Sequence, residues 1–260
     1  MRLDTALTTT GRAVLFAHWP VPAAQLRPHL PDALALDTYD GEAWVSVLAF
    51  EVVEARPQAL PAGLWPSASF GEVTLRTYVR HDDRPGVYFL SLDAGTRVGA
   101  AAMHSAMGMP CYAATTSVDI RRTTDRAHAG DGSRAGDGEG ATVESVAFRS
   151  RRTQAGQPAA AFAVDYGPDG PADTVESGSL AEFCIERRRW FTDAGQPSPY
   201  LVGAGPGLRV GEIERAPWQV APAMATLSEN SLGRPLGLDL SGEPTVHYSP
   251  GFRSVVSTRR

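Results

Sequence analysis

The sequence predicts a mainly β (α+β) chain, a barrel or sandwich of many strands with one or two helices outside it. Three observations predict it. Runs of β-branched and aromatic residues recur at short spacing, divided by Gly, Pro and Asp. Helical periodicity is clear in one segment only. No internal repeat and no linker interrupts the pattern, so residues 1–260 are expected to form a single domain.

The elements follow in order. Residues 13–19, Ala-Val-Leu-Phe-Ala-His-Trp, read as a first strand closed by Pro20 and Pro22. Residues 21–30 suit a short helix stopped by Pro31. Residues 34–39 and 43–53 flank Asp40-Gly41, a strong tight-turn pair, and read as a hairpin. Both sides of its second arm are mostly apolar, so that strand is expected to be covered on both faces. Residues 55–69 carry three prolines without a period and read as a loop.

Residues 70–80 and 86–94 read as the most informative hairpin. Val73, Leu75, Thr77 and Val79 share one face. Glu72, Thr74, Arg76, Tyr78 and Arg80 share the other. A symmetric turn over 81–85 would set Tyr78 opposite Phe89, Arg76 opposite Ser91 and Thr74 opposite Asp93. This polar face is either solvent-exposed or the lining of a polar pocket.

Residues 98–106 fit a small helix or a strand, broken by Pro110. Residues 111–122 are β-like. Residues 125–141 are rich in Gly, Asp and Ala with no apolar anchor, and a flexible loop is expected. Its acidic positions do not match a calcium-loop spacing. Residues 143–152 and 159–166 form a further strand pair.

Residues 179–191 are the clearest helix. Ser179 can cap it, with Glu182 at the reciprocal position. Leu180, Phe183, Cys184, Trp190 and Phe191 share one face, with Arg187 at its centre. Either Arg187 is buried against a carboxylate or its stem follows the core and its head reaches water. The carboxylates expected for it are Glu72 and Asp93, with Glu42 behind them. Strand-like pieces at 208–215, 216–220, 223–227 and 247–249 complete the chain.

Composition narrows the function classes. A formal charge of -5 with scattered basic residues argues against nucleic acid. No basic segment followed by an apolar run marks a secretory leader, and no apolar run is long enough to span a membrane. Cys111 and Cys184, far apart and without metal-type neighbours, suit reduced thiols in a cytoplasm. The chain contains no lysine. Arginine stays protonated and forms no Schiff base, so mechanisms that need a lysine amine are closed. Arginine-rich codon usage accounts for this, and a high-salt cytoplasm would also suit the acidic excess.

Several blocks in order resemble a known family. They are Phe16-Ala-His-Trp with Leu26-Arg-Pro-His-Leu-Pro31, Asp37-Thr-Tyr-Asp-Gly-Glu-Ala-Trp-Val45, Phe70 to Val79 and Gly86 to Ala94. Gly178-Ser-Leu-Ala-Glu-Phe, Glu186-Arg187 and Ala216-Pro-Trp218 add to them. Together they resemble the YqjF-like family, a domain of unknown function in the acetoacetate decarboxylase-like superfamily. The resemblance implies a closed or nearly closed antiparallel β-barrel with a central cavity. The superfamily's decarboxylase places its Schiff-base lysine after a Gly-x-Pro turn. The similar segment here is Gly108-Met-Pro-Cys-Tyr112, with Cys111 or Tyr112 where the lysine would be. The superfamily also places a glutamate on a cavity-facing strand, matched by Glu72. The resemblance thus turns the polar face of the 70–94 hairpin inward. The chain departs from the family at Thr74, where Asn is usual, and at Arg188, where an aromatic is usual.

Candidate site residues follow. Glu72 can act as acid or base, and Arg76 offers a donor fork for a carboxylate or keto group, with Thr74 between them. Alternatively Glu72 and Arg76 form a structural ion pair. Asp93 either joins their network or simply ends a strand. Cys111 is a nucleophile only if a base lies near it, and otherwise an inert buried thiol. Tyr112 and Arg187 complete the candidate ligand-binding set. His18, His29 and His247 lack metal-ligand spacing, the Gly-rich segments match no phosphate loop, and no metal or cofactor is expected. Two functions stay open. One is a cavity for a small organic acid or ketone with acid–base chemistry by Glu72. The other is a non-catalytic barrel, used for binding or as a scaffold in a homo-oligomer.

Overall fold

The computed structural model describes residues 6–58, 69–124, 142–193 and 207–259. The expected flexible loop at 125–141 lies outside these residues, as does most of the loop expected at 55–69. Among the described residues the chain is strand-rich: β1 Ala6–Val21, β2 Ala35–Leu36, β3 Thr38–Tyr39, β4 Glu42–Pro57, β5 Phe70–His81, β6 Arg84–Ala94 and β7 Cys111–Thr124 come first. Then come β8 Thr142–Arg152, β9 Ala161–Pro168, β10 Asp173–Thr174, β11 Arg189–Asp193, β12 Leu208–Arg215, β13 Gln219–Asn230 and β14 Thr245–Arg259. The helices are α1 Ala23–Leu26, α2 Arg97–Met107 and α3 Leu180–Ile185.

The strands join into one sheet that closes twice. β1, β4, β5, β6, β11, β12 and β14 form a ring of seven strands. β1, β4, β5, β6, β7, β8, β9, β13 and β14 form a ring of nine. The two rings share the wall β14–β1–β4–β5–β6. The sequence-based expectation of a purely antiparallel barrel needs one correction, because β6 pairs in parallel with both β7 and β11. Parallel neighbours need a crossover, and α2 supplies it between β6 and β7.

A strand shared by two rings has no solvent face, which is why β4 and the middle of β5 are apolar or polar-but-buried on both sides. Leu15, Val47, Val73 and Leu75 face the larger ring, where they pack with Phe148, Phe162 and Val164. Phe16, Leu48, Phe50 and Tyr78 face the smaller ring, with Ile185, Trp190 and Trp218. Burying each such side chain contributes roughly 1.5–3 kcal/mol.

The β5–β6 turn is tighter than the symmetric five-residue turn. Asp82 and Asp83 both take positive φ, and His81 pairs with Arg84. This two-residue turn matches the strands' own twist. A bulge between Leu75 and Arg76 then shifts the register again. Tyr78 therefore lies opposite Val87, Arg76 opposite Phe89 and Thr74 opposite Leu92. Asp93 sits opposite Val73, on the larger-ring face, away from Glu72.

The 179–191 helix also needs correction. Ser179 caps it as expected, accepting from the Glu182 N–H at 3.1 Å, and Glu182 reaches back to the Gly178 N–H. The helix ends at Ile185. Trp190 and Phe191, helical by periodicity, instead sit on β11, paired to β6 and β12. Strand pairing on both sides outweighs the weak local helical preference. Residues 98–106, ambiguous in sequence, fall within the helix α2. Thr96 caps it, and Gly108 ends it in the left-handed conformation that glycine adopts without strain.

Candidate site in the smaller ring

The larger ring is filled by its core, whereas the smaller one encloses a cavity of about 800 Å³. The β5 residues on its wall are Phe70, Glu72, Thr74 and Arg76, one alternating face of the strand. Phe50 from β4 and Leu92 from β6 flank them, and Ile213 and Arg215 from β12 and Phe252 from β14 complete this part of the lining. Met103 and Met107 of α2 close one side.

The chain segment that ends α3 supplies the polar floor. A helix leaves its last carbonyls unpaired, with a partial negative charge. Three arginines use them. Arg187 Nε donates to the Phe183 carbonyl at 2.6 Å, Arg76 Nη2 to the Cys184 carbonyl at 2.8 Å, and Arg215 Nη2 to the Ile185 carbonyl at 2.9 Å. Two of the three also hold a carboxylate. Arg187 Nη1 meets Asp37 Oδ2 at 2.7 Å, and Arg215 Nη2 meets Glu186 Oε2 at 3.0 Å. Arg76 is buried and, among the described residues, pairs with no carboxylate, and its Nε has no hydrogen-bond partner. Thr74, two residues along, is equally buried with an unpartnered hydroxyl.

Burial pushes the Arg215 pKa down to about 10, with Glu186 opposing and the nearby Arg188 and Arg76 charges adding to the fall. The field at this end of the cavity is therefore positive. At the other end Glu72 has no ion-pair partner among the described residues. Burial alone lifts its carboxyl to about 7. The expected Glu72–Arg76 ion pair is not formed.

Behind Arg76 runs a buried hydrogen-bonded chain. Tyr78 OH donates to the same Cys184 carbonyl at 3.0 Å and meets the Ser46 hydroxyl, which in turn lies 2.6 Å from His18 Nδ1. Burial, reinforced by His247 and Arg76, holds the His18 pKa well below its ordinary value. The chain thus presents neutral groups around Arg76 and supplies it with no countercharge.

The other candidates sit elsewhere. Asp93 is paired with Arg152, Oδ1 to Nε at 2.7 Å, in a nearly water-free site on the far side of the shared wall. Burial pushes its carboxyl up, and Arg152 pulls it back down. Tyr112 stacks under the Arg152 guanidinium at 4.0 Å. Neither residue lines the cavity, a correction that follows from the β5–β6 register. Cys111 is buried beside its register partner Leu92, outside the lining. Burial, then the nearby Glu72 and Asp93 charges, raise its thiol pKa well above the ordinary value, which opposes a nucleophilic role. Arg187 lines the cavity but meets Asp37, not Glu72, Asp93 or Glu42. Because α3 stops at Ile185, Arg187 leaves the helical face and reaches the segment joining β2 to β3. Arg215 went unnoticed in sequence. Strand alternation through Ile213 and Arg215 would have placed both on one face.

Among the described residues no cluster of three metal-binding side chains is present, and no helix is long and apolar enough to cross a membrane.

Comparison with known proteins agrees with this architecture. The structure superposes on the enduracididine biosynthesis enzyme MppR complexed with pyruvate, with a TM-score of 0.59 and 16% identity, covering 99% of this chain and 89% of that one. It superposes on an acetoacetate decarboxylase-like enzyme from Sphingomonas wittichii RW1 with a TM-score of 0.57 and 18% identity, over 99% and 94% of the two chains. An acetoacetate decarboxylase from Legionella pneumophila gives 0.59 and 11%, over 98% and 87%. At these identities the likeness establishes the fold, an acetoacetate decarboxylase-like one. In sequence, the uncharacterized protein YqjF of Bacillus subtilis is 31% identical over 242 residues, 92% of this chain and 86% of the relative. Residues 8–253 match the model of DUF2071, described as an uncharacterized conserved protein. The chain belongs to the DUF2071 family and is a homologue of YqjF.

Proposed function

We propose that the smaller ring binds a small organic acid or keto acid, with its carboxylate at Arg76 and Thr74 and with Glu72 exchanging a proton with the bound molecule. The observation that carries this reading is Arg76, a buried guanidinium on a cavity wall with no carboxylate partner among the described residues. A buried cation is costly until an anion joins it, so an anionic ligand completes the site. Glu72 supports the second half. A carboxyl held near pH 7 accepts and returns a proton at neutral pH. In that step the Glu72 carboxylate takes a proton from carbon next to a carbonyl and gives it back, with no net redox change. Schiff-base decarboxylation is not part of the proposal, because the chain has no lysine. The cavity also favours this reading over a plain scaffold barrel, whose interior would be filled by side chains.

The test is calorimetry with a panel of short carboxylates and keto acids, paired with proton exchange into D2O followed by NMR. Wild type should bind keto acids and exchange their α-protons. Arg76→Met should lose binding, and Glu72→Gln should keep binding and lose exchange. Binding that is indifferent to Arg76 overturns the head-group assignment. Exchange that survives Glu72→Gln overturns the role of Glu72.

A further inference from the structure

We infer that the ligand is an elongated amphipathic acid, with a carboxylate head at Arg76 and an extended apolar body along the cavity. This rests on the reading above and deepens it by naming the ligand class. Three observations carry it. The cavity is large, about 800 Å³, at the upper end of the roughly 300–1,000 Å³ that drug-sized ligands occupy. Much of its wall is apolar: Leu48, Phe50, Phe89, Met107, Ile213 and Phe252 line it. The two charged ends are far apart. Glu72 and Arg76 stand four residues apart on an extended strand, roughly 13 Å between their backbones at about 3.3 Å per residue. The raised pKa of Glu72 has burial as its sole cause, with no arginine drawing it down. The two side chains close part of that distance, and an acid with a longer body fills the apolar wall between and around them.

Thioether and aromatic walls suit such a body. Met side chains adapt to irregular apolar shapes, and Met103 and Met107 reach the cavity from one face of α2. Trp218, held edge-on to Phe16 at 4.9 Å and tilted against Phe252 at 5.0 Å, gives the wall a rigid aromatic corner beside Arg215. The arginines suit the carboxylate head, and the apolar stretches of the wall suit the body.

The experiment is calorimetric titration with butyrate, hexanoate, octanoate and decanoate, with methyl octanoate as the uncharged control. Each methylene that enters an apolar wall should tighten binding about fourfold. Octanoate should thus bind on the order of a hundredfold tighter than butyrate. Arg76→Met removes an unpaired buried cation and should fold at least as stably as wild type. It should lose the preference for octanoate over methyl octanoate. Met103→Gln should flatten the rise of affinity with chain length. Equal affinity for butyrate and decanoate overturns the elongated-ligand inference and leaves the small-acid reading standing. A preference for octanoate over methyl octanoate that survives Arg76→Met overturns the carboxylate assignment instead. No binding of any acid overturns both.

Discussion

Glu72→Gln offers the most direct measure of what the cavity does to a charge. The Glu72 carboxyl, ordinarily titrating at 4.5, is raised to about 7 by burial. Below pH 4.5 the side chain is neutral in both folded and unfolded chains, and folding carries no penalty from it. Between 4.5 and about 7 the unfolded chain ionises Glu72 while the folded chain keeps its proton. The folded state then binds more protons, so stability falls as pH rises. At 1.36 kcal/mol per pH unit the full loss is about 3 kcal/mol, complete once pH passes 7. Glutamine has the same shape and does not titrate. The stability of Glu72→Gln relative to wild type should therefore climb by about 1–3 kcal/mol from acid to neutral pH, the lower figure applying where cavity water solvates the carboxylate. Urea unfolding of both proteins at about pH 4.5, 6 and 8 measures this. A difference that stays flat across that range would show that Glu72 titrates as an exposed acid. The reasoning from burial to a proton-exchanging group at neutral pH would then fail.

Other outcomes follow from the same geometry. Arg187→Ala should cost about 3 kcal/mol, because Asp37 keeps only a longer pair at 3.5 Å to Arg80, whereas Arg188→Ala, at a half-exposed pair, should stay within about 1 kcal/mol. Equal melting temperatures would contradict the buried Arg187–Asp37 pair. Asp93→Ala strands Arg152 in a nearly water-free site and should cost about 3–5 kcal/mol. A variant that melts like wild type would show that pair to be dispensable. Borohydride with acetoacetate should leave no reduced imine on any side chain, since none can form one. Mass spectrometry that finds an adduct away from the N-terminal amine refutes this.

Much of the architecture was legible because it is written locally. Alternation in residues 70–80 put Glu72, Thr74 and Arg76 on one face, and they share a cavity wall. Apolar residues on both sides of the 43–53 segment announced a strand covered twice, and β4 is the wall between two rings. Ser179 and Glu182 announced the start of α3. The absence of lysine excluded one chemistry outright. The closed rings and the inward turn of the polar face came from family resemblance, since periodicity alone cannot tell a solvent face from a cavity face.

What only the tertiary structure decided is how distant pieces meet. The bulge after Leu75 moved Asp93 to the opposite face from Glu72, because one residue of slip reverses every side chain beyond it. Pairing of β11 with β6 and β12 took Trp190 and Phe191 out of the helix their spacing suggested. Arg187 found Asp37 across 150 positions, and Arg76 found the Cys184 carbonyl across 108. Such contacts depend on loop closure and on competition among many similar arginines and acids, and no local pattern ranks those partners. The sequence by itself determined which faces are apolar and which carry charge. The folded sheet decided which charges are paired, leaving Arg76 and Glu72 to face the cavity without ion-pair partners among the described residues.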